Sequence, residues 1–228
     1  MPPSMFDAGI LAITVAALSI SGVSLYVSRV FLPRKMKGAY LKSITVLAAA
    51  VETKDSGTVG HAQRVADLTM AVARNLGITG KELERVEYAA LLRDIGKADV
   101  PHAILNKAGP LDEKEWAIVK SHSAFGADMV EAVPFLADCA PFVRHHHEYW
   151  DGTGYPDGLK GEQIPLGSRI LAATSDYDAM ISERPYHAQP MTPPRAIEEI
   201  LAGSGTKYDP VVVEIITNLL SNELNKAA

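Results

Sequence analysis

Cysteine is almost absent from this sequence, which holds Cys139 alone among 228 residues. A single thiol excludes an intrachain disulfide, and a chain without disulfides fits a reducing compartment. An excess of basic residues is also lacking, since 22 Lys and Arg stand against 27 Asp and Glu and the net charge is -5. Because nucleic acids are bound through clustered positive charge, no DNA partner is expected.

Strand-like alternation of apolar and polar residues is missing as well. Apolar residues recur instead at helical spacing, as Val65, Leu68 and Val72 do. The segment 151–167 is different, because its five glycines and two prolines fit a long turn-rich loop. We therefore predict an all-α domain of about seven helices over residues 45–228.

The N-terminal part contains the longest uncharged run, the 21 residues from Ala8 to Ser28. A helix of that length spans roughly 30 Å, the thickness of a bilayer core. Basic residues follow the run and none precedes it: Arg29, Arg34, Lys35, Lys37 and Lys42. This pattern predicts a single-pass protein of the inner (cytoplasmic) membrane with its C-terminal domain in the cytoplasm. Its parts are an outer tail (1–7), a transmembrane helix (8–30), a basic linker (31–44) and the domain (45–228). A buried core helix is the alternative for the apolar run.

A third helix of the domain is predicted to begin at Asp112, a good N-cap residue, and to run through Met129. Ile118 and Phe125 would lie on its buried face, with His122 between them on the same face. The glycine four residues after His122 leaves room for a close neighbour.

Histidines provide the strongest chemical signal. His61 is four residues before Val65, Asp94 ends the second helix, and the pair His146 and His147 follows a short helix. One inward histidine alone is usually a hydrogen-bonded core residue. Several inward imidazoles with a carboxylate are better explained by a divalent cation, because unpaired buried polar groups are costly.

Two sets of motifs resemble a known family. The first resembles the HD superfamily of metal-dependent phosphohydrolases: His61-Ala62-Gln63-Arg64-Val65, Asp94-Ile95-Gly96-Lys97, and His122 with Gly126. The second is similar to the HD-GYP subgroup: His146-His147-Glu148, Asp151-Gly152, Gly154-Tyr155-Pro156, Gly158-Leu159 and Tyr177-Asp178-Ala179. The resemblance implies a helical HD-domain bundle with a centre of two or three metal ions, often Fe or Mn, that hydrolyses cyclic di-GMP.

The resemblance also implies roles for individual residues. One metal would be held by Asp94, His122, His146 and His147. Asp94 would bridge to a second metal held by His61, and Asp94 and Lys97 would be the catalytic residues. The substrate would meet Lys97, Gly154, Tyr155, Pro156 and Arg184.

Three positions depart from the family pattern. Arg93 stands where a histidine ligand is expected, and Ser175 stands where an aspartate ligand is expected. A guanidinium has no lone pair to donate to a metal. Gly57 replaces the glutamate that three-metal members carry. The Arg93 side chain has three alternatives: to point inward and oppose an ion, to swing outward, or to pair with Asp94. We expect at most one ion.

Three functions follow from these departures. The leading hypothesis is a membrane-anchored HD-GYP-type signalling module with weak or no hydrolysis, which acts by binding cyclic di-GMP, a related phosphoester or partner proteins. The second is an active one-metal phosphodiesterase. The third is a membrane-anchored scaffold whose site is vestigial.

Overall fold

The computed structural model describes residues 5–54, 60–182 and 190–227. The helices are α1 (Met5–Tyr26), α2 (Leu32–Glu52), α3 (His61–Asn75), α4 (Gly80–Leu92), α5 (His102–Leu105), α6 (Glu113–Lys120), α7 (His122–Glu131), α8 (Ala140–Arg144), α9 (Leu166–Ile181), α10 (Pro193–Ala202) and α11 (Pro210–Ala227). A π-helical turn, Val27–Phe31, lies between α1 and α2, and 3-10 turns occur at Ile95–Ala98, Ala137–Cys139 and Gly161–Gln163. These three ranges contain no β-strand, only an isolated bridge between Ser204 and Tyr208. The all-α prediction is confirmed, but the described part of residues 45–228 contains nine helices from α3 to α11, rather than about seven.

The chain divides into two compact units, Met1–Ser43 and Ile44–Ala228. In the first unit, described side chains of α1 are exposed, with Leu18 at 73% and Ile20 at 70%. Within the described ranges, no helix combines the length and the apolarity that crossing a bilayer requires. The transmembrane helix predicted for 8–30 is therefore not supported.

The second unit is built around α3, which packs against α4 and α9, while α7 packs against α8. Its core consists of aliphatic side chains from these helices, all below 1% exposure: Val65, Val72, Val86, Val143, Ile170 and Leu171. The packing of these helices thus fixes the positions of the helix ends and adjoining turns that carry His61, Asp94, His122 and His146.

The third predicted helix is two helices in the structure, α6 and α7, because the helix is interrupted at Ser121. The Ser121 hydroxyl donates to the Ile118 carbonyl at 2.8 Å, and His122 Nδ1 donates to the Val119 carbonyl at 2.7 Å. These side-chain donors add hydrogen bonds to carbonyls at the end of α6. His122 is buried, whereas Ile118 and Phe125, predicted in the core, are 40% and 39% exposed.

The turn after α4 touches the start of α7 through two glycines. A Cβ atom on Gly96 would overlap the His122 carbonyl oxygen and lie 2.6 Å from the Gly126 nitrogen. Only glycine allows this approach of two backbones. The neighbour expected beside Gly126 is therefore the Gly96 backbone, which places Asp94 near His122.

We predict that Gly96→Ala lowers the free energy of unfolding by about 3 kcal/mol or more, because the added methyl has no space in a close-packed contact. Urea denaturation of both proteins measures the difference. Gly109→Ala is the matched control, since a Cβ atom there meets nothing within 4 Å. Equal losses in the two variants would contradict the proposed close approach.

Candidate metal centre

Three imidazoles meet where the start of α7 faces the segment after α8. His122, His146 and His147 each offer a ligand atom, and these atoms lie within 4.8 Å of one another. The His146 and His147 rings are 4.1 Å apart between centroids, and His122 and His146 are each 2% exposed. The convergence predicted for these three residues is thus present in the fold.

Backbone carbonyls fix the tautomers of two of these rings. His122 Nδ1 donates to the Val119 carbonyl at 2.7 Å, and His146 Nδ1 donates to the Val143 carbonyl at 2.6 Å. Each Nε2 therefore carries a lone pair, and neither Nε2 atom has a hydrogen-bond partner in the described structure. Carbonyl bonds of this kind orient metal-binding histidines.

These lone pairs fit a metal ion better than a proton. Burial, followed by the neighbouring His122, lowers the pKa of His146 to about 3. Burial likewise lowers the pKa of His122 and of His147. Because buried acceptors without partners are costly, and a divalent cation would satisfy all three neutral imidazoles at once, the group suits one such ion.

Asp94 lies at the edge of this group, with Oδ1 3.7 Å from His122 Nε2. Burial by itself would raise the pKa of Asp94, but Lys97 and Arg93 hold it well below its usual value. Lys97 Nζ lies 3.0 Å from Oδ1 and Arg93 Nη2 lies 3.2 Å from Oδ2. The carboxylate is therefore ionised and available beside the imidazoles.

Arg93 points inward and is 1% exposed. Its Nε donates to the Ser175 hydroxyl at 3.3 Å, and its Nη1 donates to the Ala90 carbonyl at 2.8 Å. With Nη2 beside Asp94, the guanidinium therefore connects Asp94 with Ser175, another of the three positions that depart from the family pattern. Of the three alternatives, the side chain does not swing outward; it points inward and pairs with Asp94.

His61 lies apart from the three-histidine group and is 5% exposed. Its Nδ1 is 2.5 Å from Asp178 Oδ2, and the same carboxylate accepts from Arg64 Nε at 2.7 Å and from the Ser182 hydroxyl at 3.0 Å. Burial lowers the pKa of His61, and the positive charge of Arg93 acts in the same direction. Because Nδ1 is paired with Asp178, only Nε2 of His61 remains for an ion.

The glycine-rich loop is held by Glu148, a residue for which no role was predicted. This carboxylate is 1% exposed and accepts from the backbone nitrogens of Asp157, Gly158 and Leu159 at 2.7, 3.0 and 3.1 Å. Its position directly after the histidine pair was the only sequence signal, because its partners are backbone amides. Glu148 thereby fixes the loop relative to the metal-binding group.

Two loop residues with predicted substrate contacts lie against the same segment. The Tyr155 ring stacks on His147 at 4.8 Å between centroids, and a Cβ atom on Gly154 would overlap the Tyr149 nitrogen. Pro156 follows Tyr155 in the same loop. Arg184 and Gly57 lie outside the described residues.

A cleft of about 730 Å³ opens onto the group. His122, His147 and Lys97 line it from the metal-binding side. Further lining residues come from α6, the glycine-rich loop and α9: Glu113, Trp116, Ala117, Val119, Lys120, Tyr149, Thr153, Tyr155 and Asp176. A cavity of this size suits a ligand of nucleotide dimensions.

Comparison with known proteins decides the family. A family model described as HD domain matches residues 45–212. The chain belongs to the HD domain family. Its similarity to cyclic dinucleotide phosphodiesterases, together with the glycine-rich loop, makes it an HD-GYP member.

Two relatives of this HD-GYP chain are well aligned with it. It is 36% identical over 172 residues to 3'3'-cGAMP-specific phosphodiesterase 2 of Vibrio cholerae serotype O1, covering 75% of this chain and 33% of that protein. It is also 36% identical over 177 residues to the cyclic di-GMP phosphodiesterase response regulator RpfG of Xanthomonas campestris pv. campestris, covering 77% of this chain and 47% of that protein. The chain thus spans between a third and half of the length of these relatives.

A solved structure shows the same fold. The crystal structure of a cyclic GMP-AMP specific phosphodiesterase from Vibrio cholerae matches with a TM-score of 0.65 at 22% identity, over 80% of this chain and 49% of that one. The prediction of an HD-domain helical fold is confirmed.

We predict that the metal-free protein loses stability as the pH falls from about 7 to about 5. An unfolded histidine has a pKa of about 6.5, so the unfolded state takes up protons that buried His146 refuses. The free energy of unfolding should fall by up to about 1.4 kcal/mol per pH unit for each such histidine. Denaturation in chelator across this pH range measures the slope. The control, His146→Gln, should show a smaller slope, and an unchanged slope would contradict a neutral buried His146.

We also predict that Glu148→Gln lowers the free energy of unfolding by about 2 kcal/mol or more, because an amide cannot accept all three backbone bonds. The glycine-rich loop should then be cleaved faster by a protease under native conditions. Glu162→Gln, at an exposed position of the same loop, is the control and should change neither property. Equal cleavage of the two variants would remove Glu148 as the residue that fixes the loop.

Proposed function

We propose that this chain is an HD-GYP signalling module that binds one divalent metal ion and a cyclic dinucleotide, with weak or no hydrolysis. It would act through ligand binding or through partner proteins. The observation that carries the proposal is the buried Arg93 guanidinium, bonded to Ser175 and paired with Asp94.

Charge repulsion explains why Arg93 argues against a second ion. Two unit charges about 4 Å apart interact by about 4 kcal/mol at an effective dielectric near 20, and a divalent ion doubles that repulsion. The guanidinium cannot relieve it by losing a proton. A second cation between His61 and Asp94 would meet this cost with two of its expected ligands replaced.

The first ion keeps all four of its expected ligands. His122, His146 and His147 would hold it, with Asp94 as the anionic ligand. Fe or Mn is expected from the family resemblance, and mixed imidazole and carboxylate ligands suit such ions. When bound, the ion would polarise an oxygen of a phosphodiester in the cleft.

The names of the relatives support the ligand class. Those proteins are named for phosphodiesterase activity on cyclic di-GMP or on 3'3'-cGAMP. In this chain, Lys97 and Lys120 line the cleft beside the imidazoles and supply positive charge for phosphate oxygens. We therefore propose cyclic di-GMP or a related cyclic dinucleotide as the ligand.

A second candidate is an active one-metal phosphodiesterase. It is favoured by the position of Arg93 Nη2, which keeps a positive charge 3.2 Å from Asp94 where another ion would otherwise neutralise it. This candidate differs from the first only in turnover. Localisation at the inner membrane and binding to partner proteins stay predictions.

We predict that the full chain, loaded with Mn²⁺ or Fe²⁺ and desalted, retains about one ion or fewer and turns over cyclic di-GMP and 3'3'-cGAMP slowly or not at all. Arg93→His combined with Ser175→Asp should add a second ion, because it restores two ligands and removes a buried cation. Elemental analysis and chromatography of the reaction products give both readouts.

The matched control is Arg93→Gln combined with Ser175→Asn, which removes the cation without supplying comparable ligands. It should gain no ion. Two ions and rapid turnover in the unchanged chain would overturn the leading proposal, whereas one ion with rapid turnover would establish the second candidate.

A further inference from the structure

Helix α6 forms one wall of the cleft without contributing to the core. None of its residues is buried. Five of them line the cleft: Glu113, Trp116, Ala117, Val119 and Lys120. All of these except Val119 have the spacing i, i+3, i+4 and i+7, so the four form a single stripe on one face of the helix. The face of α6 that an ordinary helix would bury is turned towards the cleft.

Trp116 is the most informative residue of this stripe, since its side chain is 48% exposed. An indole offers a large flat apolar surface, and proteins usually cover such a surface with other side chains. Here the exposed ring lies in a cavity that also contains metal-ligating groups. A ligand with a flat aromatic part would cover it.

The other walls match the remaining parts of a nucleotide. His122, His147 and Lys97 provide the metal-binding and cationic floor, and Lys120 Nζ lies 5.4 Å from the Tyr155 ring centroid. Glu113, one turn before Trp116, offers a carboxylate that can accept from base N–H groups. A nucleotide whose phosphate binds at this floor would therefore have its base beside α6.

We propose that Trp116 stacks on a purine base of the bound nucleotide, so that α6 selects nucleotides from other phosphoesters. This inference rests on the proposed function for the phosphate part of the ligand. The stacking itself requires only the α6 wall. Stacking of a base on an aromatic side chain changes affinity by roughly 5- to 150-fold on alanine substitution.

The first experiment measures affinity for cyclic di-GMP and 3'3'-cGAMP by calorimetry with Mn²⁺ present. Trp116→Ala should weaken binding about tenfold or more, while Trp116→Phe should stay within about threefold because a ring is kept. Ile118→Ala is the matched control, since Ile118 is 40% exposed on the same helix and is not among the cleft-lining residues. It should leave affinity unchanged. Circular dichroism checks that each variant is folded.

The second experiment separates this inference from the proposed function. The chain has two tryptophans, so Trp116 is the one that remains in the Trp150→Phe variant. GMP at millimolar concentration in chelator should quench its fluorescence, whereas ribose 5-phosphate should not. Quenching by GMP without metal-dependent binding of either cyclic dinucleotide would support the stacking wall and overturn the proposed function. Absence of quenching by GMP and by both cyclic dinucleotides, or equal affinities of Trp116→Ala and the unchanged chain, would overturn the inference.

Discussion

The site depends on one backbone contact, between Gly96 and the first turn of α7. Gly96 and Gly126 approach so closely that a Cβ atom on Gly96 would overlap the His122 carbonyl oxygen. Asp94 precedes Gly96 by two residues, and His122 begins α7. Because these are backbone positions, the separation of the two backbone segments that carry the carboxylate and the imidazole is set by the fold. Lys97 lies in the same turn, so its side chain both pairs with Asp94 and lines the cleft.

Charge balance in this region follows from that geometry. Arg93 and Lys97 place two cations on Asp94, while His61 and Arg64 share Asp178. A buried guanidinium is costly unless its charge is balanced. Asp94 balances the charge of Arg93, and Ser175 and the Ala90 carbonyl accept from Nε and Nη1, while the buried Nη2 has no hydrogen-bond partner among the described residues. A second ion beside Asp94 would have to displace this ion pair.

Much of this site could be predicted from the sequence, because helical periodicity places His122, His146 and His147 inward and the family motifs group them. The direction of Arg93 could not be predicted, since a long side chain at the end of α4 has both buried and exposed alternatives. The break at Ser121 was also missed, because apolar spacing continues across it and the hydroxyl and imidazole that cap α6 act locally. Glu148 escaped prediction for another reason: its partners are amides about ten residues away, in a loop whose path no side-chain pattern reports.

The way in which α6 is stabilised explains how it can leave one face free for a ligand. Asp112 accepts from the Glu115 nitrogen and Glu115 accepts from the Asp112 nitrogen, a reciprocal capping box, and Lys107 also pairs with Glu115. Ser121 and His122 close the other end. Capping at both ends satisfies backbone groups that the termini of this short helix would otherwise leave without partners. The stripe with Trp116 is not buried in the core, whereas His122 both caps α6 and offers a ligand atom, so the wall of the cleft and the metal-binding group are joined at that residue.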